Sequence, residues 1–144
     1  MTITDGQSTE AKPTAPEVAT AEPVVYISGS RVEPEKAMAG EPFALTVTLK
    51  NSLTTKFVRN MLIKVDTGNL HINLLEDSDI FQIDRIPAGG ETELTIRFKT
   101  DSSLPAGKYP INFSFSYDSS KTLNLSSSGT ALVEIRQPAN MELV

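Results

Sequence analysis

Cysteine is absent from this 144-residue chain, which excludes disulfides, thiolate metal sites and a cysteine nucleophile together. Its absence does not fix the compartment, because reduced cytosolic chains and many exported bacterial chains both lack it. Tryptophan is also missing, and His71 is the only histidine. Carbohydrate-binding faces typically use exposed aromatic platforms, and most of the phenylalanines and tyrosines here sit at inward strand positions. Phe57 is the one candidate platform, with core packing as its default role. His71 has no second histidine, no cysteine and no acid at a ligand-like spacing, so neither a zinc site nor a nucleophile with its base can be assembled from sequence neighbours. No apolar run exceeds a few residues, and no transmembrane helix is expected. The net charge of −5 and pI near 4.9, with no basic patch interleaved with aromatics, make nucleic acid an unfavourable partner. No enzyme activity and no cofactor are expected.

What the chain does have is alternation. Tyr109, Ile111, Phe113, Phe115 and Tyr117 are separated by Pro110, Asn112, Ser114 and Ser116, a strand with one apolar and one wet face. The same period runs through Phe43, Leu45, Val47 and Leu49, through Met61, Ile63 and Val65, and through Leu94, Ile96 and Phe98. Val24 to Ile27 opens a first strand, kinked or bulged at Gly29, and a short edge strand is expected between Leu70 and Asp79. Phe81, Ile83 and Ile86 lead into Pro87-Ala88-Gly89-Gly90, a turn whose glycines can take positive φ. Leu123 and Leu125, then Ala131, Val133 and Ile135, bring the chain back, and Ser126-Ser127-Ser128-Gly129 suggests a bulge in one long final strand. With no run of comparable length at helical spacing, these faces must bury one another. The fold class is all-β: an immunoglobulin-like sandwich of seven or eight antiparallel strands, without a disulfide.

Residues 1–22 are dominated by Thr, Ala, Glu and Pro and carry no aromatic, so they read as a disordered linker, either a spacer or a plain terminal tail. Residues 23–137 form the sandwich. Residues 138–144, Pro138-Ala139-Asn140-Met141-Glu142-Leu143-Val144, are a linker or the start of a following domain. Residues 1–7 have neither the basic start nor the apolar stretch of a signal peptide. The chain is therefore expected to be cytoplasmic or a segment of a longer one, and the sequence at both ends favours the segment.

The stretch Glu33-Pro34-Glu35-Lys36-Ala37-Met38-Ala39-Gly40-Glu41-Pro42-Phe43, with Leu45-Thr46-Val47-Thr48-Leu49-Lys50-Asn51 after it, resembles the immunoglobulin-like modules of bacterial exported and surface proteins, the cell-adhesion-related and S-layer-associated type. Ile86-Pro87-Ala88-Gly89-Gly90-Glu91-Thr92 resembles that family's turn before its fifth strand, and Leu104-Pro105-Ala106-Gly107-Lys108-Tyr109 its approach to the sixth. The resemblance implies an extracellular or cell-surface location, protein or cell-envelope components as partners, and neighbouring domains in the same polypeptide. Family members often follow the Asn51 position with Ser or Thr and then Gly. Here Asn51-Ser52 is followed by Leu53, which either packs under its loop or is offered to a partner.

The structural positions expected to matter are Asn51, Gly89, Gly90, Gly107 and Tyr109. The last stands where sandwiches commonly place a tyrosine whose hydroxyl bonds back to the preceding crossover. Glu76, Asp77, Asp79 and Asp84 are the only calcium candidates, and they lack the regular acidic spacing and glycine of a calcium loop. Lys50, Lys64 and Lys99 fall on outward phases, against a buried lysine–asparagine crosslink. The leading expectation is a noncatalytic spacer and interaction module; the alternative is a carbohydrate- or calcium-binding accessory module of an enzyme or adhesin.

Overall fold

Alternating burial turns each of these runs into a strand, and a computed structural model describes residues 21–137. The strands are β1 Val25–Glu33, β2 Ala37–Met38, β3 Pro42–Asn51, β4 Val58–Asp66, β5 Ile72–Leu74, β6 Ile80–Ile86, β7 Glu91–Thr100, β8 Gly107–Ser119 and β9 Leu125–Arg136. They form a five-stranded sheet in the order β2-β9-β8-β4-β6 and a four-stranded sheet in the order β1-β3-β7-β5. The all-β sandwich read from the sequence is present. Only β8 and β9 are consecutive strands within one sheet, so every other connection carries the chain from one sheet to the other. That is why the tight Pro87–Gly90 connection is a bridge between sheets and not a hairpin.

The inward residues meet between the sheets. Phe43, Leu45, Leu49, Met61, Ile63, Phe98, Ile111 and Phe113 are buried, and the rings of Phe43 and Phe98 stack with centroids 5.4 Å apart. Burial of each such side chain contributes about 1.5–3 kcal/mol, which supports a domain of this size without a disulfide.

Several local expectations change. The register of β1 against β3 shifts between Ile27 and Gly29, as the glycine suggests. The final strand, by contrast, pairs with β8 without a break from Leu125 to Ile135, so there is no bulge at Ser126-Ser127-Ser128-Gly129. Ser127 and Gly129, on the inward phase, are small where β1 passes over them, while Ser126 and Ser128 face outward. Ser127 Oγ donates to Val25 O at 2.8 Å, and a Cβ on Gly129 would lie 2.9 Å from Ile27 Cδ1. Leu123 lies outside the strand and is exposed. Ala37–Met38 adds a two-residue parallel pairing to β9, which no alternation signal could reveal in so short a piece.

The expected linker, residues 1–22, lies outside the described residues except for its last two, and these are already tied to the sandwich. Residues 138–144 also lie outside. Ala21 stands at the end of the sandwich that carries the β3–β4, β6–β7 and β8–β9 loops, here the proximal end. Gln137 leaves at the opposite, distal end, where its Nε2 donates to Ser102 O at 3.2 Å and also bonds Leu104 O. Among the described residues no helix is long and apolar enough to cross a membrane.

Candidate functional site

A concavity lies on the outer face of the five-stranded sheet, a depression of about 560 Å³. Its floor follows from register: Lys64 pairs with Ser114 and Ser114 with Ser128, while Leu62 pairs with Ser116 and Ser116 with Ser126. Four small side chains on β8 and β9 leave room between taller neighbours, and Leu62, Lys64 and Ile80 form the wall. Leu62 and Ile80 are about half exposed. Lys64 reaches Asp79 at 4.0 Å. Hydroxyls that donate and accept, one ammonium and an aliphatic edge suit binding of a partly polar surface or ligand.

A second concavity of about 400 Å³ at the distal end is lined by Asp66, Thr67, Asn69 and Asp79 among others. Its polar groups are turned on their own loop. Thr67 Oγ1 donates to Asn69 O and Ile72 O, Gly68 N to Asp66 Oδ1, and His71 N to Asn69 Oδ1. The structure sets His71 Nδ1 2.6 Å from Asp101 Oδ2, a pair thirty residues apart that no local spacing reveals.

The proximal end holds a cluster of polar groups that converge on residues 21–25. Glu22 accepts from Thr122 Oγ1 and from Ser119 Oγ at 2.9 Å, and Lys56 Nζ lies 3.4 Å away. Lys56 also donates to Ala21 O, and buried Tyr117 donates its hydroxyl to Pro23 O at 2.9 Å while the same hydroxyl oxygen accepts from Val25 N at 3.3 Å. Side chains from two loops and β8 thus grip the chain just before β1 begins. The Thr122 hydroxyl, followed by Ser119 and Lys56, holds the Glu22 carboxyl below the usual glutamate range against a smaller opposing effect of burial. Since the folded value is depressed, Glu22 stabilises the fold above the ordinary glutamate range, and that contribution fades as pH falls through the folded value. The thermal advantage of the parent over Glu22→Gln is therefore expected to shrink on acidification; a difference independent of pH would contradict this role.

Asn51 sits beside this grip and is fully buried. Its Nδ2 donates to Lys56 O at 2.9 Å and Pro87 O at 3.2 Å, and its Oδ1 accepts from Leu53 N at 3.0 Å. Gly89, at φ 67°, lies over Thr54 and donates its N–H to Leu53 O at 2.8 Å. Gly90 does not share the positive φ; its constraint is space, because a Cβ there would meet Pro87 Cδ at 3.1 Å. Leu53 itself is half-buried.

Tyr109 donates its hydroxyl to Pro105 O at 2.6 Å, across the crossover that precedes β8. Gly107 is less constrained than the sequence suggests, since a Cβ there would touch the Tyr109 ring only at an ordinary 3.8 Å. As the Tyr109 bond is exposed, Tyr109→Phe is expected to lower stability by about 1 kcal/mol in chemical denaturation, and an unchanged midpoint would remove the bond from the account.

The calcium candidates are not brought together. Glu76 accepts from Arg97 through its backbone N–H and its guanidinium at 3.1–3.2 Å, which holds its carboxyl below the usual range. Asp77 is on an exposed bend, Asp79 faces Lys64, and Asp84 lies on β6. Among the described residues no group of three His, Cys, Asp or Glu is placed to hold a metal. Phe57 is not a free platform, for Arg85 lies over its ring at 4.0 Å, and it stands outside the buried core. Lys64 and Lys99 are exposed and Lys50 is partly so, reaching Gly89 O at 3.4 Å.

No family model matches the sequence, and no curated protein matches it. Among solved structures the chain is similar to the cupredoxin domain of amoB from Nitrosocaldus yellowstonii, at 13% identity over 79% of this chain and 88% of that one, with a TM-score of 0.43. It is similar to a CARDB domain from Pyrococcus furiosus at 14% identity, covering 81% of this chain and 95% of that one, with a TM-score of 0.44. For BslA, a bacterial hydrophobin, the values are 12%, 82%, 98% and 0.44.

Proposed function

We propose that this chain is a noncatalytic immunoglobulin-like module serving as a spacer and protein-interaction surface in a bacterial exported or cell-surface protein. One observation carries the spacer role: the backbone arrives at the proximal end, where Glu22, Lys56 and Tyr117 grip it, and departs at the distal end, where Gln137 is held. A module threaded end to end adds its full length, about 35–40 Å for a strand of β9's span, between whatever precedes and follows it. The turn and core motifs from Glu33 to Tyr109 support the exported location through their resemblance to bacterial surface modules. Protease shaving of intact cells of the native host tests the location. Release of the domain without lysis is the expected result, and protection until lysis would remove the surface assignment.

The serine-floored depression favours a second reading, an accessory module that binds carbohydrate. Calorimetric titration with a glycan panel separates the two. Heat that disappears in a Ser114→Val, Ser116→Val double variant would support the second reading, and absence of heat across the panel would exclude it.

A further inference from the structure

The first and last strands run in the same direction. β1 leaves the proximal end at Val25 and β9 leaves it at Leu125, and both finish distally, at Glu33 and Arg136. They belong to different sheets, yet they touch: Ser127 Oγ donates to Val25 O at 2.8 Å and, two residues further along each strand, Ile27 lies over Gly129. A pull on the preceding chain therefore draws β1 proximally, and a pull on the following chain draws β9 distally. Ladder hydrogen bonds lie across the strands, so this sliding strains the pairs from Val25–Asn51 to Glu33–Ala44, and from Leu125–Tyr117 to Ile135–Gly107, all together. Lifting one strand end would break them singly.

Both points of attachment spread the pull beyond the terminal strands. At entry Tyr117 and Ser119, on β8, hold Pro23 O and the Glu22 carboxylate, so the incoming chain is tied to the five-stranded sheet before β1 joins the other one. At exit Arg136 O accepts from Ala39 N at 2.8 Å, and Gln137 Nε2 is bonded to the β7–β8 crossover. Between these points lies a notch. A Cβ on Gly129 would stand 2.9 Å from Ile27 Cδ1 and 3.1 Å from its Cγ1, so the Ile27 branch fills the space that a side chain at 129 would take. Ser127 and Ala131, the neighbours of Gly129 on the same phase, carry a Cβ each and bound the notch on its proximal and distal sides. Sliding under tension drives Ile27 toward Ser127 and carries the Ser127 hydroxyl away from Val25 O, and close-packed side chains resist such a shift.

We propose that this module bears tension along its length, with Ile27 seated over Gly129 as the catch that resists sliding of β1 against β9. The inference deepens the spacer reading and rests on it for the direction of the pull.

Force spectroscopy tests it on the full chain held between DNA handles. Handles at the two chain ends load β1 and β9 in shear; a handle at exposed Lys108→Cys with the other at the C-terminal end peels β9 from β8, starting at the distal pair Ile135–Gly107. At one loading rate the end-to-end rupture force is expected to exceed the peeling force at least about twofold, because many pairs share the load in the first geometry and one at a time in the second. Ile27→Ala should lower the end-to-end force and leave the peeling force unchanged. Ile27→Val, which lacks the Cδ1 nearest Gly129 and keeps most of the side chain, should lower it by less. Leu74→Ala is the control, since Leu74 is also half-buried against the core but lies on β5, the strand farthest from β1 in its sheet. It should leave the ratio of the two forces at the parent value, because forced rupture follows the unfolding rate along the loaded direction and not equilibrium stability alone. An end-to-end force no higher than the peeling force would overturn the tension-bearing role, and an equal fall of the ratio in Ile27→Ala and Leu74→Ala would overturn the catch. A weak end-to-end rupture in a chain whose entry and exit lie at opposite ends of the sandwich would overturn this inference alone and leave the spacer reading standing.

Discussion

Asn51→Ala is expected to destabilise the domain by about 3 kcal/mol, lowering the thermal midpoint by roughly 10 °C, although it removes only a small polar side chain. The reason is what stays behind. With Asn51 gone, the carbonyls of Lys56 and Pro87 and the N–H of Leu53 lose their partner at a fully buried position. Each buried group left unpaired costs about 1–3 kcal/mol, more than the net value of the bond it made. Asn51→Asp should be no milder, because a carboxylate would face the two carbonyls that the amide now donates to. Urea denaturation checks this, and a loss below about 1 kcal/mol would show that water replaces the amide.

Tyr117→Phe is expected to cost about 2 kcal/mol, roughly twice the loss expected at Tyr109. Both hydroxyls bond to backbone carbonyls, but the Tyr117 bond is buried and also serves Val25 N, so the substitution leaves Pro23 O and Val25 N unpaired where β1 begins. Amide exchange of Val25 should quicken in the same variant. Equal losses for the two tyrosines, or the reverse order, would contradict the assignment of Tyr117 as the hinge pin of the proximal end.

The sequence pattern carries the strands because alternation is local: Phe43 to Leu49 and Tyr109 to Tyr117 each declare an inward face without reference to any other part of the chain. The shift near Gly29 and the Tyr109 bond to Pro105 are legible for the same reason, being set by residues within a few positions. What stayed hidden depends on partners distant in sequence. Tyr117 shares the phase of core residues, so nothing marks its hydroxyl as the partner of Pro23, ninety-four positions away. Gly129 resembles a bulge until β1 is seen crossing it, and Glu22 resembles linker until Thr122 and Ser119 meet it. Arg85 over Phe57 and Asp101 beside His71 are likewise products of the crossings between sheets.

The claim on which the rest depends is that the chain passes through the sandwich from end to end. Because the protein has no cysteine, Val24→Cys and Arg136→Cys create a unique pair of spin-label sites, both exposed, one at each end. Double electron–electron resonance is expected to give a single narrow distance near about 35–40 Å, the span of twelve strand residues with some twist. A principal distance near or below about 20 Å, equivalent to six strand residues, would place arrival and departure on the same side and contradict the account.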